Sequence, residues 1–391
     1  METTQLQQFS VNKSGWTRVK FGDVVFEPKE TVKSLLEENI EHVVGLEHID
    51  SENIHLTRSG NLEESTTFSK KFKKGDVLFG RRRAYLKKAA VASFDGICSG
   101  DITVFRAKKN LLPELLPFVV NNEKFFDYAV KHSAGGLSPR VKFKDLANYE
   151  FLLPPKDQQA QLAELLWAMD EVVEREREVL ERFISYIESL IHSNLSANKG
   201  NTTLGDYCEN DGIRIGPFGS LLHAQDYVDN GVPVIMPTDI IDGEIQEDKI
   251  ATISNEKAKE LNRYCVIADD IIFPRRGDLS KRAIINKKQD GWICGTGSIR
   301  VRLKENLNSK LAYYALTSRF INTWLLDNSV GTTMPNLNAS TIGNIPLSLP
   351  EERLANDIFN KIESAVKASK VNTLYIQNSR ALQKSLINQI F

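Results

Sequence analysis

Lys74-Gly75-Asp76-Val77-Leu78-Phe79 stands in the first half of the chain and Ala268-Asp269-Asp270-Ile271-Ile272-Phe273 in the second, each one residue ahead of an arginine pair, Arg81-Arg82 and Arg275-Arg276. Three more matches follow in the same order. Ile97-Cys98 pairs with Ile293-Cys294. The loop opened by Gly135-Gly136 pairs with the one opened by Gly331-Thr332. Phe151-Leu152-Leu153-Pro154-Pro155 pairs with Leu347-Ser348-Leu349-Pro350-Glu351. The offset between copies stays at 194 to 196 residues throughout. One match could arise by chance, but four in register argue for a duplicated domain, and the long period rules out a short-repeat solenoid. Each copy ends in a short apolar run stopped by proline, which blocks a strand and suits the first turn of a helix. The plan read from this is a domain over 1–155, a helix over 156–198, a second domain over 199–350 and a second helix over 351–391.

A chain of 391 residues with 41% hydrophobic and 26% charged residues has the composition of an ordinary globular protein of two or three domains. No apolar run is long enough to cross a bilayer, and the stretch Met1 to Lys13 is polar. The expectation is a cytoplasmic protein with no membrane partner. Cys98, Cys208, Cys265 and Cys294 form no C-x-x-C pair, so buried free thiols are expected rather than disulfides or a metal site. A formal net charge of −1 argues mildly against a DNA binder acting alone, but not against local basic patches.

The helix after the first domain carries a heptad seam. Its a positions are Leu162, Met169, Glu176, Phe183 and Leu190, and its d positions are Leu165, Val172, Val179, Tyr186 and Ser193. Over 156–196 it would run roughly 60 Å, longer than a core helix of a small domain. The second helix places Leu354, Ile358, Ile362 and Ala365 at spacings of four and three. Each helix follows one copy of the repeat, so they can cover each other's apolar stripes as an intramolecular antiparallel coiled coil. Pairing with a second copy of the chain is the alternative.

The globular halves read as α+β: two tandem, similar α/β domains separated by the long helices. Short β-type runs such as Asp76 to Phe79 and Ser298 to Leu303 are punctuated by Gly and Asp, with helical patches at Leu111 to Lys131 and Ser309 to Asp327. Polar and basic residues follow the same anchors in both copies. The first has Arg81, Arg82, Arg83, Lys87 and Lys88, then Ser138, Arg140, Lys142 and Lys144. The second has Arg275, Arg276, Lys281 and Arg282, then Thr332, Asn336 and Asn338. Arginine can grip guanine and asparagine adenine through two hydrogen bonds, while lysine neutralises phosphate. These residues are therefore candidate DNA contacts. There is no phosphate-binding G-x-x-x-x-G-K-S/T loop and no Asp/Asn-Pro-Pro-aromatic motif of an amino-methyltransferase. Asp239 with Glu247-Asp248-Lys249 loosely mimics a metal-dependent nuclease, but the first half has no counterpart. No catalytic residue and no metal site is assigned.

The opening Gly15-Trp16-Thr17-Arg18-Val19-Lys20-Phe21-Gly22-Asp23, its shorter echo Thr203-Leu204-Gly205-Asp206, the Lys74–Phe79 turn and the junction Leu153-Pro154-Pro155-Lys156-Asp157-Gln158-Gln159-Ala160-Gln161-Leu162-Ala163 resemble the specificity subunits of Type I restriction–modification systems. The second junction, Leu349-Pro350-Glu351-Glu352-Arg353-Leu354-Ala355, departs by losing one proline and the glutamine. The resemblance implies a non-catalytic, sequence-specific subunit whose two target-recognition domains read the halves of a bipartite double-stranded DNA site. The helices would set the spacer and dock two methyltransferase subunits. S-adenosylmethionine would sit in those partners, and ATP and Mg²⁺ in a motor-nuclease subunit where one joins. The rival readings are the specificity subunit of a Type IIB-like system, a metal-dependent nuclease, and a helical scaffold that touches no DNA. If the helices are the ruler, inserting one heptad into both lengthens the unread spacer and leaves the half-sites unchanged; methylome sequencing that finds the original spacer contradicts this.

Overall fold

A computed structural model describes residues 11–32, 40–61, 67–195, 202–329 and 335–391. They form two compact units. The first comprises the chain up to Arg177 together with Leu374–Phe391, and the second comprises Glu178–Thr373.

The quoted turn shows why two different spellings are equivalent. Gly75 has φ +89° and Asp269 has φ +71°. Glycine takes the left-handed region freely, and aspartate is among the few other residues that tolerate it. Each turn feeds a fully buried strand, Val77–Gly80 or Ile271–Pro274. In the first unit that strand lies in an antiparallel sheet between Ile102–Ala107, which Val25–Phe26 flanks, and Ala89–Val91. In the second unit the sheet has the same order, Cys208–Ile215, Ser298–Leu303, Ile271–Pro274, Ala283–Ile284.

The smaller three-stranded sheets differ. Gly96–Cys98 is central in the first, parallel to Val43–Val44 and antiparallel to Lys70–Phe72. Tyr227–Ile235 is central in the second, antiparallel to Ala251–Ile253 and parallel to Ile293–Cys294.

Behind each turn sits a buried ion pair that sequence inspection overlooked. Arg106 donates from Nε and Nη2 to the two oxygens of Asp76, both at 2.7 Å, and the backbone N–H of Lys73 closes the turn on the same carboxylate. Arg302 grips Asp270 likewise at 2.8 and 2.7 Å, and the Ile267 N–H plays the part of Lys73. The Asp side chains are 3% and 1% exposed. Water therefore cannot replace the guanidinium, and the turn depends on it.

Helix α1 (Glu123–Lys131) packs in the first unit and is capped by the Asn122 side chain. Helix α2 is Lys156–Leu195. Helix α3 (Arg319–Asp327), capped by Ser318, is the second unit's counterpart of α1. Helix α4 is Glu352–Ile390. In the first unit, Ala163 and Leu166 from the start of α2 share a core with Leu386, Ile387 and Ile390 from the end of α4 and with Phe391 beyond it. In the second unit, Ile191 and Leu195 from the end of α2 share a core with Ala355, Ile358 and Ile362 from the start of α4. Within each unit the helices thus meet start to end, which is antiparallel pairing inside one chain.

The seam itself requires a correction. The buried line on α2 is Gln159, Ala163, Leu166, Asp170 and Val173, one residue away from the frame read from sequence. Leu165, Val172 and Val179 are exposed at 42%, 50% and 39%, and Leu162, Met169, Phe183 and Leu190 are half-buried at its flank. On α4, Ile358 and Ile362 are buried, whereas Leu354 is 53% exposed beside the buried Ala355. The physical reason is that polar residues occupy seam positions with their hydrogen bonds satisfied. Gln159 donates to the carbonyls of Asn110 and Pro154 and accepts from the Leu112 N–H. Asp170 accepts from Gln383 of α4. Counting apolar residues alone favours the neighbouring, more exposed stripe.

Asp170 also holds His55 of the first unit's globular part at 2.5 Å. The hydrogen bond to Asp170 is the main cause that raises the His55 pKa above its ordinary value. The charged imidazole is thus favoured in the folded state, so its contribution is complete below the unfolded pKa near 6.5 and is lost as pH rises through the higher folded value. His55→Ala should flatten the fall in stability above about pH 6.5, measured as melting temperature against pH; an unchanged slope contradicts it. Asp270→Ala strands Arg302 and should cost the second unit about 3 kcal/mol; a denaturation midpoint equal to that of the parent chain contradicts this.

Candidate nucleic-acid interface

The strand Val77–Gly80 runs out into the arginines, and a segment some sixty positions on comes back to meet them. The Arg81 N–H donates to the Asp101 carbonyl at 2.9 Å and its own carbonyl accepts from Val141 at 3.0 Å. Arg82 and Arg140 form an antiparallel bridge, and Arg83 donates its N–H to the Pro139 carbonyl at 2.8 Å. Ala134 and Arg140 exchange both backbone hydrogen bonds, closing the loop between them. The side chains are fixed as well. Arg82 donates to Asp101 at 3.2 Å and to the Ser138 hydroxyl at 3.0 Å, and Arg140 donates to the other Asp101 oxygen at 2.7 Å. Burial works against the Asp101 carboxylate, but the two arginines outweigh it and hold its pKa below the usual range.

The second unit repeats the backbone pattern with other side chains. The Arg275 N–H donates to the Gly297 carbonyl, Leu337 donates to the Arg275 carbonyl, and Arg276 bridges Asn336. The Arg275 Nε donates to the Asn336 side-chain oxygen at 3.1 Å, and its guanidinium lies 6.0 Å from the centre of the exposed Phe218 ring. Asp101 and Phe218 were missed by sequence reasoning. The signal for Asp101 was its place just after the Ile97-Cys98 anchor, where the other copy has Gly297.

The structure therefore brings together Arg81, Arg82, Arg83, Ser138 and Arg140 in one unit, and Arg275, Arg276 and Asn336 in the other. Lys142 and Lys144 are exposed next along the chain, and Lys281 is exposed. One candidate is corrected, and two others are tied to neighbours within the protein. Arg282 is 2% exposed, bonded to the Leu279 carbonyl and the Asn322 side chain and packed on Phe273, and burial pushes its pKa down to about 10; it cannot reach a phosphate. Lys87 is tied to Glu123 at 2.5 Å and Glu52 at 3.6 Å, in a network with Lys384 of α4, so it braces the helix end. Asn338 caps the helix Ala339–Gly343 by accepting from the Thr341 N–H. Lys88 is half-buried on the Leu46 carbonyl. Thr332 lies outside the described residues.

Among the described residues no group of three or more His, Cys, Asp or Glu side chains is placed to hold a metal ion, and no helix is long and apolar enough to cross a membrane. Asp239, the nuclease candidate, accepts the Met236 N–H of its own turn at 2.8 Å.

Comparison with known proteins gives the family and the fold. The family model described as Type I restriction modification DNA specificity domain matches twice, over residues 13–182 and 203–372. A curated relative, the Type I restriction enzyme EcoDI specificity subunit of Escherichia coli, is 29% identical over 119 residues, which is 29% of this chain and 26% of the relative. The match thus spans about a quarter of that protein. A chain of a type I R-M system, solved in work on complex assembly and conformational transition, aligns over 96% of this chain and 97% of its own, with TM-score 0.58 and 17% identity. The S subunit of the Type-I restriction-modification system from M. genitalium aligns over 98% of each chain, with TM-score 0.55 and 13% identity. At such identities the structures speak for the fold, and the doubled family match speaks for descent: this chain belongs to the Type I restriction modification DNA specificity family.

Proposed function

We propose that the chain is the sequence-reading subunit of a Type I restriction–modification complex, each unit reading one half of a bipartite double-stranded site. The observation that carries this is the doubled arginine loop. In both units the strand after the buried Asp–Arg pair delivers an arginine to a returning segment, and fixed neighbours orient its guanidinium, Asp101 and Ser138 for Arg82, Asn336 and Phe218 for Arg275. A guanidinium held in place loses less freedom on gripping a base or phosphate. The different neighbours fit two half-sites of different sequence.

The helices carry apolar side chains left in solvent, which fits docking of two methyltransferase subunits. In the first unit these are Leu165, Val172, Leu374, Tyr375 and Leu382; in the second they are Val179, Ile184, Tyr186, Leu354 and Val371. The same helices set the unread spacer. Chemistry belongs to the partners: S-adenosylmethionine to the methyltransferases, ATP and Mg²⁺ to a motor-nuclease subunit where one joins. This chain contributes no catalytic group and acts in the cytoplasm. With its net charge of −1, part of the positive channel around the DNA comes from those partners.

In the assembled complex, Arg82→Ala should cost about 1–3 kcal/mol of binding and relax specificity in one half-site alone, and Arg275→Ala should do so in the other. Competition binding against single-base variants of each half-site checks this. Loss spread evenly over both half-sites from either substitution contradicts the assignment of one unit per half.

A further inference from the structure

Leu137 is 97% exposed, while every other large hydrophobic exposed among the described residues lies between 37% and 63%. It touches almost nothing of its own protein, so core packing does not explain it. Neither is it the end of a loose loop. It sits between Ala134 and Arg140, whose paired backbone hydrogen bonds close the loop, and next to Ser138, whose hydroxyl is fixed by Arg82. Gly135 has φ +117°, a conformation open to glycine, and no atom lies within 4 Å of where a Gly136 side chain would begin. The loop tip is therefore slim, anchored at its base by Arg82 and Arg140 around Asp101, and crowned by one aliphatic side chain.

We infer that Leu137 is a base-reading residue that packs on the 5-methyl group of a thymine in the half-site read by the first unit. This rests on the DNA-reading function proposed above. The guanidiniums at the loop base suit phosphate or guanine, neither of which an aliphatic side chain can recognise. The thymine methyl is the one apolar group that the base pairs display in the major groove. Leucine held in water until that contact forms gains most of its burial on binding, so the contact discriminates thymine from cytosine, which lacks the methyl group.

The experiment uses the full chain assembled with its methyltransferase subunits and a duplex carrying its mapped site. Uracil, which lacks only the methyl group, replaces each thymine of the first half-site in turn. The expected result is that one replacement weakens binding several-fold, that Leu137→Ala weakens binding to the natural duplex about tenfold, and that the variant is indifferent to that same replacement. Leu137→Ala should leave the melting temperature unchanged, since the side chain packs on nothing. Full binding by Leu137→Ala overturns the inference, and so does weakened binding with no thymine showing coupling, which would mean a wedge between base steps instead. Arg82→Ala, measured alongside, separates the two levels. If it weakens binding while Leu137→Ala does not, only the leucine contact falls; if neither weakens binding, the reading of this loop as a DNA-binding face falls with it.

Discussion

Each unit is closed by the end of a helix that belongs, in chain order, to the other half of the protein. Leu386, Ile387 and Ile390 of α4 complete the core built by the first copy of the repeat, and Ile191 and Leu195 of α2 complete the second. Aliphatic side chains of this size gain on the order of 1.5–3 kcal/mol each on full burial, so neither unit can give up its borrowed helix end lightly. The polar groups on the seam add register to affinity. Sliding α2 by one residue would bury Leu165 or Val172 but would pull Gln159 from its three partners and Asp170 from His55 and Gln383. An unsatisfied buried amide or carboxylate costs about as much as a well-packed leucine gains. The pairing is thereby fixed in one frame.

The arginine-bearing loops inherit that rigidity. The buried Asp76–Arg106 and Asp270–Arg302 pairs lock the turns, the turns launch the strands, and the strands end at Arg81-Arg82 and Arg275-Arg276. What varies between the copies sits past the point where the shared scaffold stops. A carboxylate at position 101 links two arginines in one unit. Its counterpart Gly297 has no side chain, and Asn336 and Phe218 orient the arginine in the other unit. A stable frame with exchangeable edges allows two copies with different loop side chains to share one architecture.

Much of the fold was legible in the sequence because duplication is a pattern of order and spacing, which tertiary context does not disturb. The seam was misread by one residue because its frame is decided partly by hydrogen-bonded polar side chains, Gln159 and Asp170, that look like surface residues in a list of letters. Arg282 failed as a contact for a related reason. A cation's charge is visible in sequence, but whether it faces solvent, a core aromatic ring or a carboxylate from a distant helix is settled by packing. Asp101 and Phe218 were invisible because an isolated acid or aromatic has no signature until the chain folds it against an arginine. The leucine at 137 sits within a stretch already marked by its glycine pair, yet its near-complete exposure could not be read from its letter.

The most direct test of two readers within one chain is single-molecule methylome sequencing of cells that carry this chain with its methyltransferase, compared with cells that lack it. Two readers in one polypeptide predict adenine methylation at a motif of two short specified segments separated by a fixed run of unspecified bases. Methylation at one continuous motif, or a methylome unchanged by removal of the chain, would contradict the account.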